Sequence, residues 1–214
     1  MAKVQVITTE SGKNNSAIVI NGTGDAGGIV ENAVMIGEYA QADDGCVALG
    51  AAGCGSSNMP THAMQSNSVA IGNGANAGNY GELDGGPGVA IGGFSMAKLG
   101  VSIGSHAGEN AQTPNNVFIG NDATVGSSGD GGCIVVGNGS VAGSPNQVVI
   151  GHGVQGPIDS EGAVVINTGS VAFEFVPGCS ATGNPGTVYF NIGGSSASIT
   201  PQQFIALINS AANL

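Results

Sequence analysis

Ten stretches of the chain share one alternation of apolar and variable positions. They begin AIVIN (Ala17), AVMIG (Ala33), CVALG (Cys46), SVAIG (Ser68), GVAIG (Gly88), GVSIG (Gly100), NVFIG (Asn116), CIVVG (Cys133), QVVIG (Gln147) and AVVIN (Ala163). The second residue is Val or Ile in all ten, and the fourth is Ile, Val or Leu. A period of two predicts a short strand with these residues on one face. The fifth residue is Gly in eight repeats and Asn in two, Asn21 and Asn167. Gly tolerates positive φ and Asn does so more readily than most residues, so this position predicts a left-handed corner. Three residues beyond the corner the side chain is small in nine of ten repeats, as in Ala40, Ala75, Ser95 and Ala107, with Gly53 in the repeat after Gly50. A second short strand with small inward residues follows.

One repeat therefore reads as one coil with two strands. A single coil cannot bury its apolar face, so neighbours must stack. The expected fold is all-β, a parallel β-solenoid of about ten coils, with strands pairing coil to coil at about 4.8 Å. In this reading the Val/Ile ladder fills the interior. The middle residues Val19, Met35, Phe118, Val135, Val149 and Val165 then point outward and need cover from further copies of the chain. Helix is excluded because Gly inside one costs about 1 kcal/mol each. Collagen is excluded because Gly has no strict period of three.

The repeats occupy residues 15–172. Residues 1–14 hold a strand-like cap, KVQVIT from Lys3. Residues 173–214 change character: AFEFV (Ala172–Val176) and TVYFNI (Thr187–Ile192) read as a hairpin. SITPQQFIALINSAANL (Ser198–Leu214) reads as a short α-helix. Thr200 is its N-cap, Pro201 lies in its first turn, and Gln203 stands at the capping-box position. Phe204, Leu207 and Ile208 form its apolar stripe. This C-terminal part is expected to be a small trimeric module that joins a larger particle or ends a fibre.

Composition narrows the function. The chain has 40 Gly in 214 residues, no Trp, 4% aromatic and 8% charged residues. Net charge is −11, and Lys3, Lys13 and Lys98 are the only basic residues. Nucleic-acid binding needs clustered Lys and Arg, so that partner class is excluded. No apolar run reaches the length of a membrane span, and no membrane insertion is expected. MAKVQVITTE lacks the apolar stretch of a signal peptide, so synthesis in the cytoplasm is expected. Cys46, Cys54, Cys133 and Cys179 lack zinc-site spacing and read as small buried thiols.

No enzyme is expected. The acidic residues Asp43, Asp44, Glu82, Asp84, Asp122, Asp130, Asp159 and Glu161 lie mostly in Gly-rich loops, poor platforms for a paired acid and base. His106 and His152 follow corner glycines. In a trimer each would form a ring of three, but without an H-x-H pair neither metal nor cofactor is expected. Recognition is expected in the two longest steps. One, GCGSSNMPTHAMQSN, carries Met59 and His62. The other, GNYGELDGG, carries Tyr80, Glu82 and Asp84, with Tyr80 placed to stack on a sugar ring.

SVAIGNGANA, GVAIG and AVMIG resemble the head repeat of YadA-like trimeric autotransporter adhesins, over about three quarters of the chain. The resemblance implies a left-handed parallel β-roll with three chains packed side by side. No heptad stalk or membrane anchor of alternating strands is expected, so the chain is read as more similar to bacteriophage tail fibres with such heads. The function expected from this resemblance is host attachment by a virion tail fibre, binding a surface glycan or protein receptor and joined to a baseplate or tail protein. The alternatives are a bacterial adhesin head fragment and a polysaccharide-depolymerising tail spike.

Overall fold

A computed structural model describes residues 4–8, 16–20, 32–37, 40–50, 60–78, 86–109, 111, 113–126, 131–167, 171–176, 187–192 and 195–211. Its elements are β1 (Val4–Thr8), β2 (Ser16–Ile20), β3 (Val34–Ile36), β4 (Gln41–Ala42), β5 (Val47–Leu49), β6 (His62–Ala63), β7 (Val69–Ile71), β8 (Asn76–Ala77), β9 (Gly88–Ile91), β10 (Met96–Ala97), β11 (Gly100–Ile103), β12 (Asn116–Ile119), β13 (Thr124–Val125), β14 (Ile134–Val136), β15 (Val141–Ala142), β16 (Val148–Gly151), β17 (Val164–Asn167), β18 (Val171–Val176), β19 (Thr187–Ile192), β20 (Ser195–Ile199) and α1 (Pro201–Ala211).

All ten repeats become neighbouring strands of one 14-stranded sheet, and β2 to β17 pair in parallel within it. The register places repeat on repeat: Val69 lies beside Val89, Ala70 beside Ala90 and Ile71 beside Ile91. The small-residue strands build a second wall in two pieces, β4-β6-β8-β10 and β13-β15. Together the walls make a parallel β-solenoid of about seven turns, fewer than the ten coils expected. Ten strands build the first wall, but only six of the described strands build the second.

The interior is the reverse of the expected one. Position three is buried, as Met35, Ala48, Ala70, Ala90, Ser102, Phe118, Val135, Val149 and Val165, and position one points inward with it, as Ala33, Cys46, Ser68, Cys133, Gln147 and Ala163. The Val/Ile ladder at positions two and four lies on the outer face, half-buried or exposed. The period of two is correct and its phase is inverted; a one-residue change of phase exchanges the two faces entirely. The second wall explains the choice. It supplies Ala40, Ala42, Thr61, Ala63, Ala75, Ala77, Ser95 and Ala97 to the interior. Facing these short side chains in this half of the solenoid are the equally short Ala48, Ala70, Ala90 and Ser102 of position three.

Thr61 takes the small-residue place expected of Gly53. Pairing of Gln41 with His62 and of His62 with Asn76 puts Thr61 in the row of Ala40 and Ala75. Its hydroxyl donates to the Gly72 carbonyl at 2.6 Å.

The core changes along the solenoid. From Ala33 to Ala97 it is mostly alanine; from Ala107 to Val165 it holds Phe118, Val125, Val135, Val149, Val154 and Val165. The change falls where the second wall has no strand, at residues 105–109. There a turn runs from His106 to Glu109, and among the described residues one second-wall hydrogen bond ties it to each neighbouring coil, Met96 N to Ala107 O and Gly108 N to Ala123 O. Elsewhere such junctions carry two, as between β6 and β8, where His62 N donates to Ala75 O and Met64 N to Ala77 O.

The first corner is occupied by Gly37, Gly50, Gly72, Gly92, Gly104, Gly120, Gly137 and Gly151, with φ from 125° to 155°. This lies beyond the left-handed helical region where Asn is at ease. Asn167, which pairs with Gly151 at the last parallel strand, is not among the positive-φ residues described. The Gly-or-Asn interchange belongs to the opposite corner. Asn32, Gly45, Asn67, Asn115, Gly132, Asn146 and Gly162 each precede a repeat and have φ between 58° and 73°.

At the ends the ladder turns antiparallel. β1 pairs with β2, and β18, β19 and β20 follow β17 in sequence. Strand β1 and the β18–β19 hairpin match expectation; β20 was not expected, since Ser198 was read as helix. The capping box is present as read: Thr200 N donates to Gln203 Oε1 at 2.8 Å, and Gln203 N to Thr200 Oγ1 at 3.2 Å. Cys46 and Cys133 are buried inward-facing thiols. Cys54 and Cys179 lie outside the described residues.

Candidate functional site

Two surface features of the solenoid stand out. The first is the outer face of the long sheet. Its second positions are Val34, Val47, Val69, Val89, Val101, Val117, Ile134, Val148 and Val164, and its fourth positions include Ile71, Ile91 and Ile103. Ile36, Ile103, Ile119, Ile134, Ile150 and Ile166 are 37–42% exposed, too open for a finished core. Strands apolar on both faces belong to sheets covered on both sides. Here the second wall covers one side only.

The second feature is the residue two places beyond each first-corner glycine. Among the described residues Gly74, Phe94, His106, Asp122, Gly139 and Gly153 hold these places, with φ between 54° and 67°. Backbone hydrogen bonds stack them coil upon coil: Phe94 N donates to Asn73 O, His106 N to Gly93 O and Asp122 N to Ser105 O. A left-handed Phe is costly, on the order of 1 kcal/mol. Its ring stacks on His106 with centroids 5.3 Å apart and planes 18° from parallel. His106 Nδ1 lies 2.9 Å from Ser105 Oγ and 4.0 Å from an Asp122 carboxylate oxygen. An aromatic ring, an imidazole, a hydroxyl and a carboxylate therefore share one corner. Beside them Asn121 Oδ1 accepts from Ser105 N at 2.9 Å, and Asn138 Oδ1 from Asn121 N at 3.0 Å, which holds the turns in line.

Of the residues expected to recognise a receptor, Met59, Tyr80, Glu82 and Asp84 lie outside the described residues. His62 is described, in a regular strand of the second wall and not in a loop, between Gln41 and Asn76. It is half-buried, and its Nε2 is buried with no hydrogen-bond partner. Burial pushes its pKa below the ordinary value of 6.5, and the Asp43 carboxylate opposes that shift. Burial likewise raises the Cys46 thiol, whose Sγ lies 2.9 Å from the Gln65 carbonyl. No group of three His, Cys, Asp or Glu able to hold a metal occurs among the described residues.

Sequence reasoning missed Phe94 and Asp122. The available signal was the row itself: two residues beyond the corner the sequence places Tyr39, Phe94, His106 and Asp122 among Gly, Ala and Thr. No family model, curated protein or solved structure matches the chain.

Proposed function

We propose that the chain is the rod of a homotrimeric, left-handed β-roll fibre, and that it acts as the receptor-binding part of a bacteriophage tail fibre attaching to a host surface glycan. The observation that carries the assembly is the unbroken Val/Ile ladder on the outer face. Covering the parts still exposed contributes roughly 1 kcal/mol per residue, or on the order of 10 kcal/mol per chain along the described ladder. That is comparable with the cost of association, about 4–15 kcal/mol. Three chains packed on this face leave the corners outside. The resemblance of SVAIG and its relatives to adhesin and tail-fibre heads supports attachment as the task. Among the described residues, Phe94, His106 and Asp122 supply suitable chemistry: a ring to meet the apolar face of a sugar and a carboxylate to accept from its hydroxyls.

The test has two arms. Sedimentation of the purified protein gives three times the chain mass, and Val101→Lys with Ile103→Lys reduces it to one. A monomer at micromolar concentration overturns the assembly. Labelled protein is then incubated with purified host polysaccharide. Retention without shortening supports attachment, whereas shortened chains identify a depolymerase and no retention removes the glycan.

A further inference from the structure

The outer Val/Ile face has a weakness as an interface. Its residues repeat in register from β2 to β17, Val mostly beside Val and Ile mostly beside Ile. A neighbouring chain displaced by one coil meets almost the same surface. Regular faces of this kind specify register poorly. Something that occurs once per chain must set it.

Helix α1 has the required properties. Ile205, Leu207 and Ile208 are 52–60% exposed, and Phe204 is only half-buried. The helix is 11 residues long, without an acidic residue in its first turn or a basic one in its last. Isolated helices of this length are marginal in water. Within the chain α1 packs against β19 and β20. Charge selects the occupant. No charged side chain follows Glu174, although the chain carries −11. A charged partner finds nothing complementary here, whereas further copies of an acidic chain meet here without opposing like charges. The sheet strands β18 to β20 tie this uncharged segment to the end of the ladder.

We propose that α1 is the surface through which copies of the chain first associate, helix against helix, and that it fixes their register before the ladders zip together. The proposal rests on the self-association stated above.

The test refolds, from denaturant, an equal mixture of Ile103→Cys chains and Ile91→Cys chains, with Cys54 and Cys179 replaced by Ser. These two positions lie one coil apart. Mild oxidation and mass spectrometry then report which cysteines join. With α1 intact, 103–103 and 91–91 links form, and 103–91 links are at least tenfold rarer. With Leu207→Lys and Ile208→Lys added, assembly slows at least tenfold or 103–91 links rise to the level of the matched ones. Leu207→Met with Ile208→Val retains the matched pattern. Both lysine sites are exposed in the single chain, and circular dichroism verifies that its strands persist. Unchanged assembly rate and matched links in the lysine variant overturn the proposal. A parent chain that sediments only as a monomer overturns the self-association reading instead.

Discussion

Gly72 offers the sharpest test of the corner geometry. Its φ is 127°, and a Cβ built there would lie 2.6 Å from Gly92 O and 2.7 Å from Gly92 C. Both are backbone atoms of the next corner, held by the Gly92 N bond to Ile71 O at 2.8 Å. Neither can move aside without separating two coils. The backbone strain costs about 1–3 kcal/mol, and the overpacking about 1–3 kcal/mol more. Gly72→Asn should therefore lose about 2–6 kcal/mol and Gly72→Val at least as much. The sequence alone suggested that Asn would be accepted at Gly72, by analogy with Asn21 and Asn167; the close approach of Gly92 removes that analogy. Gly139 is the control. Its φ is 65°, and a Cβ there meets nothing within 4 Å. Gly139→Asn should cost no more than a few tenths of a kcal/mol, since Asn is among the residues that visit this region. Thermal melting reads the difference, on the order of 10 °C at about 2–4 °C per kcal/mol for a chain of this size. Equal melting temperatures for Gly72→Asn and Gly139→Asn would refute the reasoning.

Three further outcomes follow from buried and strained side chains. Phe118→Ala removes the largest fully buried side chain among the described residues and should cost about 3–5 kcal/mol in denaturant titration; a loss below 1 kcal/mol would contradict its burial. The lowered pKa of His62 means that the fold favours the neutral ring, so its contribution is present above the ordinary value of 6.5 and fades as pH falls below it. His62→Gln should flatten the acid limb of a stability-versus-pH curve, and an unchanged limb would show the ring to be indifferent. Phe94→Gly relieves about 1–2 kcal/mol of backbone strain and forfeits a stack of about 0.5–1.5 kcal/mol. Its melting temperature should stay within a few degrees of the parent while retention on host glycan falls; retention at the parent level would remove Phe94 from the site.

The architecture was legible because its signal is repeated. All ten V-x-I stretches found in the sequence are the parallel strands of the long sheet, and Thr200 and Gln203 cap the helix as their spacing indicated. Periodicity fixes which residues share a face, but not which face turns inward. The guide used for that choice, larger apolar residues inside, fails when a wall of Ala40, Ala42, Ala75 and Ala77 leaves room only for small partners. The two kinds of positive φ were equally hidden, since Gly serves at both corners and only Asn32, Asn67, Asn115 and Asn146 mark the opposite one. The aromatic corner escaped notice because Phe94 and His106 are 12 residues apart in a chain whose coils vary in length. Tyr80 drew attention instead because it stands alone among polar residues.

The thinning of the second wall at residues 105–109 has a mechanical consequence. A solenoid pulled along its axis bears load across every junction between coils in series, and the junction with the fewest hydrogen bonds parts first. Among the described residues that place is the step between Met96 and Ala107, where one second-wall bond is formed and the alanine core gives way to Phe118 and Val125. Under tension the solenoid should yield at this joint, leaving the segment after Ala107 folded while the alanine-lined segment before Met96 unravels coil by coil. In a force-extension record that order would appear as an early small rupture, a run of low steps, and a final higher peak.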